Sequence, residues 1–195
     1  AYRVAPTLLK FALDLAQSFH VPRVAIPHLE KARDDCGETT IMVLYDRGRR
    51  QVSGVAAAES LRAVRFSADG MRPFFDLHVG APGKAVLAFL PAEEQRRVLK
   101  EWPDPVPGQL GQPTVSKAQL RKELRETKAR GWSIGHAQDL GIRAVAAPVY
   151  GSEGAVIGAV LIAWPDNAAP EGEFGPLAQR TAAAVSGDLG GVQPQ

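Results

Sequence analysis

The sequence predicts an α+β fold, a mostly antiparallel sheet with helices on its faces, and three observations lead there. Two pairs of short apolar runs are each joined by a turn rich in Gly, Asp and Ser, the signature of hairpins and so of antiparallel neighbours. Several longer segments repeat apolar residues at helical spacing. The runs Ile142 to Tyr150 and Ala155 to Trp164 are small and apolar on both faces, as a central hairpin covered by helices must be.

The elements follow in order. Residues 7 to 19, TLLKFALDLAQSF, form an amphipathic pattern, and a second helix is expected from about Arg23 to Asp35, with Pro27 tolerable only in its first turn. Gly37 closes that helix. Thr39 to Tyr45 is β-branched and apolar and turns at Asp46-Arg47-Gly48 into Gln51 to Ala58, whose polar and apolar residues do not alternate cleanly. Leu61 to Phe66 is expected as a third strand. Ala81 to Leu90 and Pro91 to about Trp102 read as helices, and Pro103 to Gly111 as a loop. Ser116 with Gln119 three residues on fits a capping box opening a polar helix that Gly131 stops. A strand, the second hairpin across Gly-Ser-Glu-Gly, and a helix from about Glu173 to Leu189 complete the chain. The order is helices, hairpin, strand, helices, long helix, strand, hairpin, helix.

Composition excludes several function classes. The 195 residues are 45% apolar and 23% charged, an ordinary globular balance. Net charge is +2, from 23 basic and 21 acidic side chains, too even for a nucleic-acid footprint. The clusters Arg47 to Arg50 and Arg121 to Arg130 read as solvated surface. A single cysteine, Cys36, rules out an internal disulfide or a Cys-x-x-Cys pair and fits a reducing cytoplasm. The longest apolar run, Ala155 to Trp164, is too short to span a bilayer. No metal, cofactor or membrane is called for.

The stretch most suggestive of chemistry is LHVGAPGKAVLAFL, Leu77 to Leu90. A phosphate-cradling loop needs Gly-x-x-x-x-Gly-Lys-Ser/Thr. Here His78 stands five residues before Gly83, where the first glycine belongs, and Ala85 replaces the hydroxyl. Pro82 removes another N–H. What remains is a turn feeding a helix N-terminus, which favours an anion. Lys84 either pairs with an anionic group or reaches solvent. The four histidines, His20, His28, His78 and His136, lack metal-ligand spacing. Cys36, among Asp34, Asp35 and Glu38, reads as an inert thiol. An enzyme using His78, Asp76 or Lys84 rests only on their proximity, and a dimerisation module without ligand is a further alternative.

Read together, these motifs resemble the C-terminal effector-binding domain of the IclR (isocitrate lyase regulator) family of bacterial transcription factors. The resemblance is carried by Tyr2-Arg3-Val4 with Leu8-Leu9, by Pro27-His28-Leu29-Glu30 leading to Cys36-Gly37-Glu38-Thr39, and by Leu77-His78 followed by Gly83-Lys84-Ala85. Arg130-Gly131-Trp132, Gly141 to Tyr150 and Ala159 to Pro165 continue it in register. It implies a GAF-like (profilin-like) twisted antiparallel sheet with helices on both faces. It also implies residues 1–22 as a linker helix from a winged helix-turn-helix domain upstream, 23–190 as the effector domain and 191–195 as a disordered tail. The implied protein is cytoplasmic, is no enzyme, assembles as a homodimer or homotetramer, and touches DNA only through the upstream domain.

The resemblance places a small-molecule effector between the sheet and the chain around Gly80. The positions it assigns are Phe66, Phe75, Leu77, His78, Gly80, Ala81, Pro82, Gly135, Ala146, Pro148, Leu161 and Ala163. Several depart from the family pattern. Pro82 cannot donate an N–H, an acidic position falls at Gly135, and hydroxyl positions fall at Leu161 and Ala163. Each change removes a polar partner, so a larger, more apolar or aromatic metabolite is expected rather than glyoxylate or pyruvate. Phe66, Phe74, Phe75 and Trp164 are available as walls.

Overall fold

The computed structural model describes residues 6–68, 74–108, 114–138, 141–166 and 174–192, with side chains described from residue 20 onward. The elements are α1 (Pro6–Cys36), β1 (Thr39–Asp46), β2 (Gln51–Ala58), β3 (Phe75–Asp76), α2 (Gly80–Phe89), α3 (Ala92–Glu101), α4 (Lys117–Arg130), β4 (Ser133–Ala137), β5 (Ile142–Tyr150), β6 (Val156–Pro165) and α5 (Phe174–Asp188). The six strands form one sheet in the order β3-β2-β1-β6-β5-β4, every neighbouring pair antiparallel.

The β period of two sends alternate side chains to opposite faces, and the two cores follow it. Ile41 and Val43, Ala144 and Ala146, and Ala159, Leu161 and Ala163 join α2, α3 and α4 in one cluster. Met42, Val145 and Ala147, and Val160, Ile162 and Trp164 join α1 and α5 in the other. Helices therefore cover both faces of the sheet.

The irregular pattern of β2 has a physical cause. Met42 pairs with Ala56 but Val43 pairs with Gly54, so Val55 is an extra residue in the ladder. One inserted residue reverses the alternation. Val52 consequently packs in the α2 core while Ala58 packs in the α1 core, although both have even numbers.

Three sequence expectations need correction. The first two helices are one, since α1 runs through Pro22 and Pro27 without a break. Each proline withholds one N–H; Pro27 is exposed, so water can reach the carbonyl left without a donor. Leu61 to Phe66 is not a strand. Leu61 is 86% and Val64 69% exposed, and the segment is held by side chains, with Arg62 paired to Glu38 and Arg65 to Glu59. The third strand is Phe75–Asp76, on the outer edge of β2. The capping box forms by half. Ser116 Oγ accepts from Gln119 N at 3.1 Å, but the Gln119 side chain donates to Glu123 Oε1 at 3.1 Å instead of reaching back.

Candidate functional site

The site region starts where Leu77 and His78 leave β3 and enter α2. Gly80 has φ of 64°, a left-handed turn that glycine adopts at little steric cost. Pro82 lies in the first turn of α2, where an N–H would have no partner inside the helix. Gly83 is explained by packing. A Cβ there would stand 2.8 Å from the carbonyl oxygens of both Asp76 and Leu77, so the helix rests on its own lead-in strand. The glycine that suggested a phosphate loop serves backbone contact.

The first turn of α2 sits on β4. Ser133 Oγ donates to the Ala81 carbonyl at 2.6 Å and lies 3.2 Å from that of Ala146. Gly135 lies directly below, and a methyl group on it would overlap the Ala81 amide nitrogen. The chain around Gly80 thus roofs the sheet face in direct contact.

The twelve positions assigned by resemblance divide into groups. Phe75, Leu77, Ala81, Ala146, Leu161 and Ala163 are each at most 7% exposed and share the α2 core, with Phe66 half-buried against it. Gly80 and Pro82 form the roof above them. Pro148 lines a small cavity of about 60 Å³ beside α5. His78 and Gly135 border a larger cavity, of about 340 Å³, between α2, α4 and β4. Trp164 is on the opposite face, fully buried against Phe174 with ring centroids 4.8 Å apart, and walls no hollow under α2. Phe74 lies outside, beneath the Arg49 guanidinium.

The larger cavity has mixed walls, apolar at Val115, Leu120 and Ile134 and polar elsewhere. His78, 7% exposed, bonds through Nε2 to the Pro107 carbonyl at 2.9 Å and meets Trp102 edge to face at 4.7 Å. Donation to a carbonyl fixes the tautomer with the proton on Nε2, which leaves Nδ1 a lone pair; that nitrogen is buried and has no partner. Burial pushes the imidazole pKa below its usual value, against the opposing pull of the Pro107 bond and Asp76. Lys84 Nζ sits 3.1 Å from Glu123 Oε2. Glu126, Thr127, Arg130 and His136 complete the polar lining, and His136 Nε2 lies 2.7 Å from Asp166.

Sequence reasoning missed the α4 side of this cavity because it took the whole helix as a solvated surface. Leu120, Glu123, Thr127 and Arg130 recur at helical spacing along one stripe, and Leu120, Leu124 and Thr127 are buried. That stripe was the available signal. Each of the three residues weighed for acid–base chemistry has another partner: His78 bonds Pro107, Lys84 pairs with Glu123, and Asp76 accepts from Gln51 at 2.9 Å.

Fold and site together define an α+β domain in which the start of α2 packs on an antiparallel sheet and a cavity opens beside it between α2, α4 and β4. The chain belongs to the family described as bacterial transcriptional regulator IclR C-terminal, whose model matches residues 14–186. Among curated proteins it is 34% identical over 125 residues to the transcriptional repressor AllR of Klebsiella pneumoniae, covering 61% of this chain and 44% of that protein. A probable transcriptional regulator of Halobacterium salinarum, ArcR, is 31% identical over 99 residues, 50% of this chain and 37% of the relative. The chain thus spans less than half the length of these relatives.

Solved structures show the same fold. The Thermotoga maritima IclR matches with a TM-score of 0.75 at 23% identity, over 94% of this chain and 74% of that one. The Agrobacterium tumefaciens repressor BlcR matches at 0.73 and 23%, over 98% and 75%. An IclR homolog from Microbacterium hydrocarbonoxydans, complexed with 4-hydroxybenzoate, also matches at 0.73 and 23%, over 96% and 75%. Among the described residues no helix is long and apolar enough to cross a membrane.

Proposed function

We propose that this domain is the ligand sensor of an IclR-type transcriptional regulator, and that an apolar or aromatic metabolite binding under the α2 roof alters DNA binding by a winged helix-turn-helix in the longer protein. The observation that carries this reading is the direct contact of the roof with Gly135. A ligand reaching Leu161 and Ala163 has to lift Ala81 off β4, so binding energy is converted into displacement of a helix. A ligand shifts such an equilibrium only by its difference in affinity for the two positions. The apolar floor of Ala146, Leu161 and Ala163 offers no hydrogen bonds to a short keto acid but accommodates a ring. The relative that carries 4-hydroxybenzoate supports an aromatic acid, whose carboxylate would meet the α2 N-terminus. Residues 1–22 serve as the linker to that upstream domain, and the domain assembles as a dimer or tetramer in the cytoplasm.

The test is a thermal-shift titration with 4-hydroxybenzoate, glyoxylate and pyruvate. Stabilisation that rises with 4-hydroxybenzoate concentration, and exceeds that from either keto acid, is the expected result. Equal or greater stabilisation by glyoxylate refutes the apolar reading; no response to a broad screen of aromatic and aliphatic acids refutes the sensor reading.

A further inference from the structure

Helices α3 and α4 border a groove of about 300 Å³, floored by the end of α2, whose charges are all of one sign. We propose that this groove is a docking surface for an acidic amphipathic helix of another protein. Among the described residues it shares none with the cavity at His78 and Gly135, so the inference stands apart from the sensor reading.

Helix geometry sorts the charges. At about 100° per residue, Arg121, Arg125 and Lys128 fall on one flank of α4, and all three line the groove. Glu123 and Glu126 fall on the other flank and line the His78 cavity. The charges of α3 divide in the same sense: Arg96 lines the groove, whereas Glu93, Glu94 and Arg97 line a separate hollow with Arg47 and Arg50. Four cations and no carboxylate of the described residues therefore meet in the groove.

This sorting opposes stability. Like charges at i and i+4, as Arg121 and Arg125 are, destabilise a helix, and a glutamate at one of those positions would make a favourable pair. Among the described residues none of the four cations has a carboxylate partner. Neighbours on the same helices do, Arg97 with Glu93 and Lys122 with Glu126. A cluster left unneutralised in one groove is complementary to a partner carrying several negative charges.

The floor and the spacing select the kind of partner. Ala88, Leu90, Leu99 and Leu124 line the bottom of the groove, each at most 5% exposed, so charge supplies most of the affinity and an apolar side chain fits the remainder. The four cations are exposed, which leaves the groove too open to bury most of a small ligand as a pocket does. From Arg121 to Lys128 the helix rises about 10 Å, so carboxylates at i, i+4 and i+7 of a second helix laid alongside meet the three cations in turn. Guanidinium groups pair with carboxylates in bidentate fashion, which favours the arginines here. A nucleic-acid duplex presents no apolar side chain to the floor, and beyond the groove it meets flanks of both signs.

The test titrates the 195-residue chain into a fluorescent peptide of about 15 residues, followed by anisotropy. The peptide is built from Ala, Leu and Glu, with glutamates at i, i+4 and i+7 and leucines between them. Saturable binding that weakens at least about threefold between roughly 50 and 300 mM NaCl is the expected result. Arg121→Glu and Arg125→Glu should each weaken it at least about tenfold. Lys122→Glu makes the same change in net charge outside the groove and should weaken it less than about twofold. All three positions are exposed, so the fold should persist, and thermal melts check it. Absence of saturation at about 1 mM protein, or equal losses from Lys122→Glu and Arg125→Glu, overturns the proposal. Displacement of the peptide by random duplex DNA or inorganic triphosphate at a lower concentration than by unlabelled peptide also overturns it, and assigns the groove to phosphate.

Discussion

Gly135 on β4 lies against the Ala81 amide of α2 so closely that the strand has no room for a Cβ, and two residues earlier Ser133 donates a hydrogen bond to the Ala81 carbonyl. The edge strand and the roof are therefore in direct backbone contact. The obstructing atoms are backbone, which no rotamer change relieves.

Gly135→Ala should accordingly destabilise the domain by about 1–3 kcal/mol through overpacking. For a chain of this size each kcal/mol lowers Tm by about 2–4 °C. Calorimetry of the two proteins checks it, and an unchanged Tm would show that α2 yields freely.

His78 gives a pH dependence with a definite sign. Its folded-state pKa lies below the ordinary 6.5, so the neutral ring's contribution is complete above that value. As pH falls below 6.5 the unfolded chain takes up a proton that the folded chain refuses, and stability declines. His78→Gln should show a shallower decline between about pH 6.5 and 5 in urea titrations. Parallel profiles would contradict the assignment.

Glu38 behaves in the opposite sense. It is fully buried, and desolvation holds its carboxyl above its ordinary pKa of 4.5 although Arg62 pulls it down. A carboxyl raised in the folded state makes stability rise as pH falls through the folded value. Arg62→Met removes the opposing charge, so its deficit against the parent should be largest near pH 8 and smaller near about pH 5. A deficit independent of pH would sink this account.

Pro27 sits at an exposed position inside α1. Pro27→Ala restores an N–H donor and should stabilise the helix by about 1–3 kcal/mol, reduced by the greater freedom of the unfolded chain. A lower denaturation midpoint would mean that the proline shapes a required bend.

The resemblance also predicts that this chain alone binds no operator DNA. Its net charge of +2 supports that expectation. A titration at low salt in which the domain shifts operator DNA in preference to random DNA would refute it.

Much of the fold was legible because the signals were local. The turn after Asp46, the Gly-Ser-Glu-Gly turn and the Gly131 cap, with φ of 87°, depend on residues close in sequence, and both hairpins and α4 lie where those residues put them. Where the sequence misled, side-chain partners outside the segment decided. Leu61 to Phe66 has strand-like composition, but Glu38 and Glu59 draw its arginines into ion pairs. Trp164 and Leu161 stand close in the chain yet face opposite cores, because parity in β6 separates them.

By itself the sequence determined the antiparallel sheet, the helices on both faces and the kinship with IclR regulators, since periodicity, turn chemistry and motif order are properties of the linear chain. Only the tertiary structure decided that Gly83 and Gly135 are glycines for backbone contact, that Lys84 meets Glu123, and that His78 and the α4 stripe line one cavity. Those relations join segments up to about fifty residues apart, and packing of the sheet between its two helix layers, rather than any local preference, sets which of them touch.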